Sequence, residues 1–519
     1  MASSQRTSRS TVRVMIFTGV SRLLGFVRQA VVNAVFGATG NADVLNAVFL
    51  IPNNLRKLMA EGALSSAYVP VISQAYGDPR QREIGIPAGI TRRLVAFQLI
   101  VLLPVLLASV MFAGPITRTI FDFPELSRQL LAADLLRWLI HYTLLISLSA
   151  VLMGALHAAG RFTVPAITPI VFSVAVVASV LLFSERLGIY SVAVGVLGGG
   201  VAQILFQYPA FRRERFSMTP RFDFSDPQFR RILKGWLPVV AASSIFALNQ
   251  QVALYFASGL SDGSSSAIAN AIIFWQLPQG IFAISVTTVL FPKMSRQAGS
   301  DDLAGLRDSV SRGVRGITAL LIPSSVLLAA FAPEVVAVAF QRGEFGAADT
   351  ARTATVLVFY CTGMVSVSVY TFLQRFFYAR GEYRVPILTA GIVFALNTIG
   401  SFVLKETVLA VAGLALANAI AFTVGAAVQM KMALVRLGGL RRRDIIQTVG
   451  KSIVASVPGL AVIIAGKIWL PGWWIAGSTL ANLFRFLGIG LAAVGITGVT
   501  MLLLRIQIVD GIRRRLGGE

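Results

Sequence analysis

Apolar residues in this chain fall into long unbroken runs, separated by short polar segments. A helix needs roughly 20 apolar residues to cross the hydrocarbon core of a bilayer. The approximate spans are 12–36, 43–72, 94–113, 130–155, 163–183, 189–210, 233–258, 267–292, 314–332, 350–372, 386–403, 407–430, 452–470 and 479–504. Strands of a membrane barrel would be shorter and would alternate apolar with polar positions. The pattern therefore predicts an all-α membrane protein of about 14 transmembrane helices. An even number of crossings puts both termini on the same side.

Composition agrees. Charged residues make up 13% of the 519, hydrophobic residues 55%, and mean hydropathy is +0.75, whereas a soluble chain carries about a quarter charged residues. The net charge of +23 raises a nucleic-acid reading, and the placement of the charges excludes it. One set of alternate loops, with the two termini, holds 33 of the 46 Lys and Arg; the opposite set holds 7, from Arg118 and Arg128 to Lys467. Lys and Arg collect in cytoplasmic loops. The asymmetry places both termini in the cytoplasm and accounts for the basic balance without nucleic acid. Cys361 is the one cysteine, which excludes an internal disulfide, and His141 and His157 do not make a metal site. The polar, basic start from Met1 to Arg13 is not followed by an apolar core and small-residue cleavage site. The first span is expected to stay in the mature protein.

The sequence repeats. Ala158-Ala159-Gly160-Arg161-Phe162-Thr163-Val164-Pro165 resembles Ala379-Arg380-Gly381-Glu382-Tyr383-Arg384-Val385-Pro386 at an offset of 221. Tyr68-Val69-Pro70-Val71-Ile72-Ser73 resembles Leu290-Phe291-Pro292-Lys293-Met294-Ser295 at an offset of 222. The offset equals six spans, so the two halves have the same topology. The expected organisation is an N-terminal six-helix bundle over 1–210 and a cytoplasmic linker over 211–232. A second six-helix bundle follows over 233–435, then two extra helices and a basic tail over 436–519. Two parallel repeats around a central cavity suit alternating access.

The remaining six Lys and Arg lie inside spans: Arg22, Arg28, Arg56, Lys57, Arg137 and Arg485. A charge at the bilayer centre costs at least about 3 kcal/mol. Arg137 and Arg485 lie near span ends, where a long side chain reaches the interface. Lys57 and Glu61 are spaced to pair along one helix face. Arg22, Arg28 and Arg56 still exceed Asp43, so the first two spans point to an anion site. Gly25 between Arg22 and Arg28, and Pro52 beside Asn53 and Asn54, mark backbone that can line a cavity. Arginine suits phosphate because its charged planar fork binds two oxygens at once.

Three blocks resemble the MviN/MurJ family of bacterial lipid II flippases. They are Ser21-Arg22-Leu23-Leu24-Gly25-Phe26-Val27-Arg28, then Phe36-Gly37-Ala38 with Ala42-Asp43, then Ile51 through Ala63. Gln341-Arg342-Gly343-Glu344-Phe345 and Phe377-Tyr378-Ala379 also look like the family, and the likeness runs through all the spans. The resemblance implies a transporter in the bacterial inner membrane that moves undecaprenyl-pyrophosphate-linked disaccharide-pentapeptide without altering it. It implies no enzyme chemistry and no cofactor. It carries the substrate-binding role onto Arg22, Arg28, Asp43, Asn53, Arg56, Lys57 and Glu61. It also implies that the last two spans form the groove for the lipid tail. Two positions depart from the family pattern. Gln29 stands where an acidic residue is frequent. Ile273, Phe274, Trp275 and Gln276, before Leu277-Pro278, stand where many members have another arginine. Another exporter of polyprenyl-linked glycans stays open as a reading, and the coupling ion stays open too. A membrane enzyme needs a positioned acid or base, and the spans hold few carboxylates beyond Asp43, Glu61 and Asp134.

Overall fold

The computed structural model describes residues 2–59, 63–469 and 479–506. Every regular element among them is a helix. The chain divides into two compact units: residues 1–265 with 342–345, and residues 266–341 with 346–519.

The first unit contains α1 (Ala2–Phe36), α2 (Gly40–Met59), α3 (Ala63–Gly77), α4 (Pro79–Glu83), α5 (Ile86–Met111), α6 (Ala113–Ile120), α7 (Leu126–Ala158), α8 (Thr163–Leu187), α9 (Tyr190–Arg213) and α10 (Pro227–Ser258). The helix α1 packs on α8, α2 on α7, and α8 and α7 both pack on α9. Small residues let these backbones close up. A Cβ on Gly195 would come 2.9 Å from the Val176 Cα, and one on Gly199 would come 2.8 Å from the Phe172 ring. The helix α10 packs against α2, α3 and α5. Its start is set by Asp226, whose carboxylate accepts from the Phe229 N–H at 2.9 Å, a side-chain cap for an otherwise open helix end.

The second unit contains α11 (Ser264–Pro278), α12 (Ile284–Gly299), α13 (Leu303–Ala330), α14 (Ala332–Phe340), α15 (Ala347–Ala379), α16 (Arg384–Leu404), α17 (Val411–Arg436), α18 (Arg442–Trp469) and α19 (Thr479–Leu503). A π-helical turn at Gln279–Ala283 joins α11 to α12. The helix α15 packs on α17 and α13, α16 packs on α17, and α18 packs on α13 and α19.

Eleven helices among the described residues are long and apolar enough to cross a membrane, counting 264–299 as one. They fall on the third to sixth and eighth to fourteenth expected spans. The other three expected spans fall on α1, on α2 with α3, and on α10. The second expected span, 43–72, is helical over its described residues, 43–59 and 63–72.

The 221-residue period appears in the helix boundaries. The helices α7, α8 and α9 begin at 126, 163 and 190, and α15, α16 and α17 begin at 347, 384 and 411. The turns match in detail. Gly160 and Gly381 both have positive φ, at 73° and 71°. The next N–H bonds back five residues in each, Arg161 to the Leu156 carbonyl at 2.8 Å and Glu382 to the Phe377 carbonyl at 2.9 Å. This is the left-handed C-terminal turn that glycine permits without a Cβ clash.

Candidate functional site

Arg28 is the best-built of the predicted residues. It is half-buried on α1, with its guanidinium carbon 5.1 Å from the centre of the Phe172 ring on α8. Phe172 is stacked on Tyr142 of α7 at 5.3 Å, and Tyr142 meets Phe49 of α2 at 6.0 Å. Gly199 on α9 leaves the room that the Phe172 ring occupies. Four helices thus hold one aromatic column under one cation. The negative face of an aromatic ring attracts a guanidinium and supports its charge where water is scarce. A small cavity of about 50 Å³ opens beside Arg28, lined also by Gln29, Asn46 and Phe49.

Arg56 lies close enough for its charge to act on Arg28. Its Nε donates to Asn53 Oδ1 at 3.0 Å, three residues back on α2. Asn53 therefore orients a cation. Lys57 donates to Gln250 Oε1 of α10 at 3.2 Å. Arg22 is exposed on α1. Glu61 lies outside the described residues.

Asp43 has a different setting. It is 3% exposed, and its Oδ2 accepts the Gly263 N–H at 2.8 Å. Beside it, Arg128 bridges Glu125 at 3.1 Å and Asp262 at 2.6 Å, with its guanidinium against Gly40. The Asp122 N–H donates to Ser258 Oγ at 2.7 Å, and Gln251 Nε2 donates to the Ile120 carbonyl at 3.3 Å. These bonds fasten the end of α10 and its following turn to α2, α6 and α7.

The structure thus brings Arg28, Asn53, Arg56 and Lys57 into one neighbourhood of the first unit and gives Asp43 a carbonyl-like acceptor task at its far end. Sequence reasoning missed Phe172, Tyr142 and Gln250. An aromatic residue inside an apolar span reads as core, so nothing in the pattern distinguishes Phe172 from its neighbours. In the second unit, Phe274 and Trp275 are buried against Phe340 and Tyr360 at 5.2 and 5.5 Å. Within the arginine-free stretch before Pro278, Phe274 and Trp275 are thus in aromatic packing, while Gln276 is exposed. Among the described residues no group of three or more His, Cys, Asp and Glu could hold a metal ion.

Long apolar helices packed in this way define an all-helical membrane protein fold. Solved structures share the fold. One described as the lipid II flippase MurJ in an inward closed conformation superposes with a TM-score of 0.74 at 21% identity, over 95% of this chain and 99% of that one. A multidrug resistance MATE family transporter of the MOP superfamily, in an inward-facing conformation, gives 0.66 at 14% identity over 82% and 98%. The sequence profile of the family described as Lipid II flippase MurJ matches residues 32–485, and the chain belongs to that family. A probable lipid II flippase MurJ of Borreliella burgdorferi is 30% identical over 93% of this chain and 94% of its own length. The lipid II flippase MurJ of Burkholderia cenocepacia is 28% identical over 85% and 84%. The chain is thus a transporter of the peptidoglycan pathway, not an enzyme.

Proposed function

We propose that this chain moves lipid II from the cytoplasmic to the outer leaflet of the bacterial inner membrane by alternating access. Fourteen helices cross, both termini are cytoplasmic, and the pyrophosphate of the substrate is held by Arg22, Arg28, Arg56 and Lys57. The observation that carries the reading is Arg28, set over the Phe172 ring and within electrostatic reach of Arg56 in the first unit. A doubly charged pyrophosphate brings two such cations together without mutual repulsion, and each arginine offers a two-pronged donor set. Asn53 and Gln250 position Arg56 and Lys57 through amide oxygens. The membrane potential acts on any charge that moves with the substrate, at about 2.3 kcal/mol per charge per 100 mV.

The test is translocation of lipid II into vesicles by the purified protein and by the Arg28→Ala and Arg56→Ala variants. Loss of transport in both, at unchanged expression, is the expected result. Undiminished transport in both would remove the arginines from the mechanism. Transport of a different polyprenyl-linked glycan in place of lipid II would leave the cationic site standing and change its substrate.

A further inference from the structure

A second cluster of cations lies in the first unit, outside the site described above. The ends of α3, α4, α5 and α9 enclose an open cleft of about 660 Å³, within the usual size of a small-ligand site of roughly 300–1,000 Å³. Its wall holds two carboxylates, the exposed Glu83 and a second, Glu214, whose charge is already used. Glu214 accepts from Arg161 Nε at 2.8 Å and from the Tyr76 hydroxyl, with Arg82 Nη2 at 3.9 Å. Arg82 in turn lies over the Tyr76 ring at 4.4 Å. Tyr76 and Glu214 thereby set the position of Arg82 at the cleft wall.

Arg213 and Arg215 flank Glu214, line the cleft and are exposed. Neither has a carboxylate partner among the described residues. Arg215 has a φ of 62°. It occupies the left-handed position just past the end of α9, where glycine is the usual residue. Phe216, next in the chain, is fully buried against Tyr76 and Phe211, which holds the turn in place. The chain thus carries an arginine in strained backbone at the rim of a basic cleft, a combination that points to a task for the side chain. The cleft floor is backbone and small side chains, among them Gly77, Gly85 and Ala88, and a Cβ on Gly77 or Gly85 would meet open space. Ile84, next in the chain to the lining residues Glu83 and Gly85, is 73% exposed.

We propose that this cleft is a second anion site, taking the phosphate ester headgroup of an acidic membrane phospholipid. Arg82, Arg213 and Arg215 supply the charge, and the open floor admits the glycerol end. The exposed Ile84, adjacent in the chain to two lining residues, favours a lipid over free phosphate, because an exposed apolar side chain is at home in acyl chains. The proposal rests on the orientation given above, which turns these helix ends to the cytoplasmic leaflet, where anionic lipids draw basic pockets.

The experiment is native mass spectrometry of the purified full chain with phosphatidylglycerol, phosphatidylcholine or inorganic phosphate. The protein is expected to retain phosphatidylglycerol over phosphatidylcholine. Arg213→Gln and Arg215→Gln should each weaken that retention by about fivefold. Arg28→Ala should leave it unchanged, so the result is independent of transport through the first site. Arg215→Gly relieves the left-handed strain. It should hold or raise the melting temperature while lowering retention, which separates lost binding from lost folding. Equal retention by the protein and the Arg215→Gly variant would overturn the proposal. Complete displacement of the lipid by millimolar inorganic phosphate would also overturn it, by making the ligand a free anion.

Discussion

Arg28 owes its place to a ring 144 positions along the chain. The guanidinium sits over Phe172, and a partly desolvated cation–π contact is worth about 0.5–2 kcal/mol. Phe172→Leu keeps most of the apolar volume and removes the ring face. It should lower lipid II transport by about tenfold, since 1.4 kcal/mol is a factor of ten in an equilibrium. Phe172→Tyr should transport normally, because the ring face remains. Parallel transport assays with matched melting curves check this, and equal loss in both variants would make the site one of packing alone. Glu214 gives a prediction in pH. Burial pushes its carboxyl up, but the Tyr76 hydroxyl, Arg161 and Arg82 outweigh burial and hold it below its ordinary value of 4.5. The phenol is driven the other way, up to about 12, by burial and by its bond to Glu214, so it stays a donor. A folded carboxyl that binds its proton more weakly than the unfolded one stabilises the fold at neutral pH. That contribution is whole above the ordinary carboxyl range and is lost as the pH falls through the lowered value. The melting temperatures of the protein and of Glu214→Gln should therefore differ at pH 7 and converge as the pH drops below 4.5.

Short connecting elements carry information that the long helices do not. The segment 342–345 belongs to the first unit although the residues on both sides of it belong to the second. It docks by the Glu344 N–H on the Ala34 carbonyl at 2.9 Å, near the end of α1. Two glycines make the approach fit. Gly343 has a φ of 58°, and a Cβ there would come 2.1 Å from the Ala34 oxygen; Gly37 has a φ of 61° and would place a Cβ 2.7 Å from the Glu344 oxygen. Gly343→Ala should destabilise the purified protein by about 1–3 kcal/mol, the usual cost of a strained backbone position. Gly346→Ala should change little, because a Cβ there meets open space. Thermal melts of the two variants make the comparison. The repeat is also most visible at its turns. Arg161 pairs with Glu214 at 2.8 Å, and Arg436 pairs with Glu382 at 2.9 Å. Glu382 follows Arg161 by 221 residues and Arg436 follows Glu214 by 222. The same bridge ties the same two elements in each unit with its polarity reversed, which a comparison of residue types would score as a mismatch.

Across the whole chain, the sorting of charge between alternate loops makes the topology testable with one reagent. Cys361 is buried, so a cysteine placed at Ser217, half-buried in the loop after α9, would be the one solvent-reachable thiol among the described residues. With that loop in the cytoplasm, Ser217→Cys should resist a membrane-impermeant maleimide in intact spheroplasts and react once they are lysed. Labelling of intact spheroplasts would reverse the orientation. The long helices, the 221-residue period and the cationic block at 21–57 were all legible in the sequence by itself. Each depends on what a segment prefers alone: hydropathy decides insertion one stretch at a time, and a charge inside a span stands out against its own neighbours. The partners of those charges were not legible. Lys57 meets Gln250 across 193 residues and Asp43 meets Gly263 across 220, and apolar periodicity does not say which helix lies beside which. Only the tertiary structure decided that Asp43 fastens a turn, that Asn53 orients Arg56, and that an aromatic column supports Arg28. These roles arise from helix packing, where close approach at glycines such as Gly199 selects one neighbour from many apolar helices of nearly equal character.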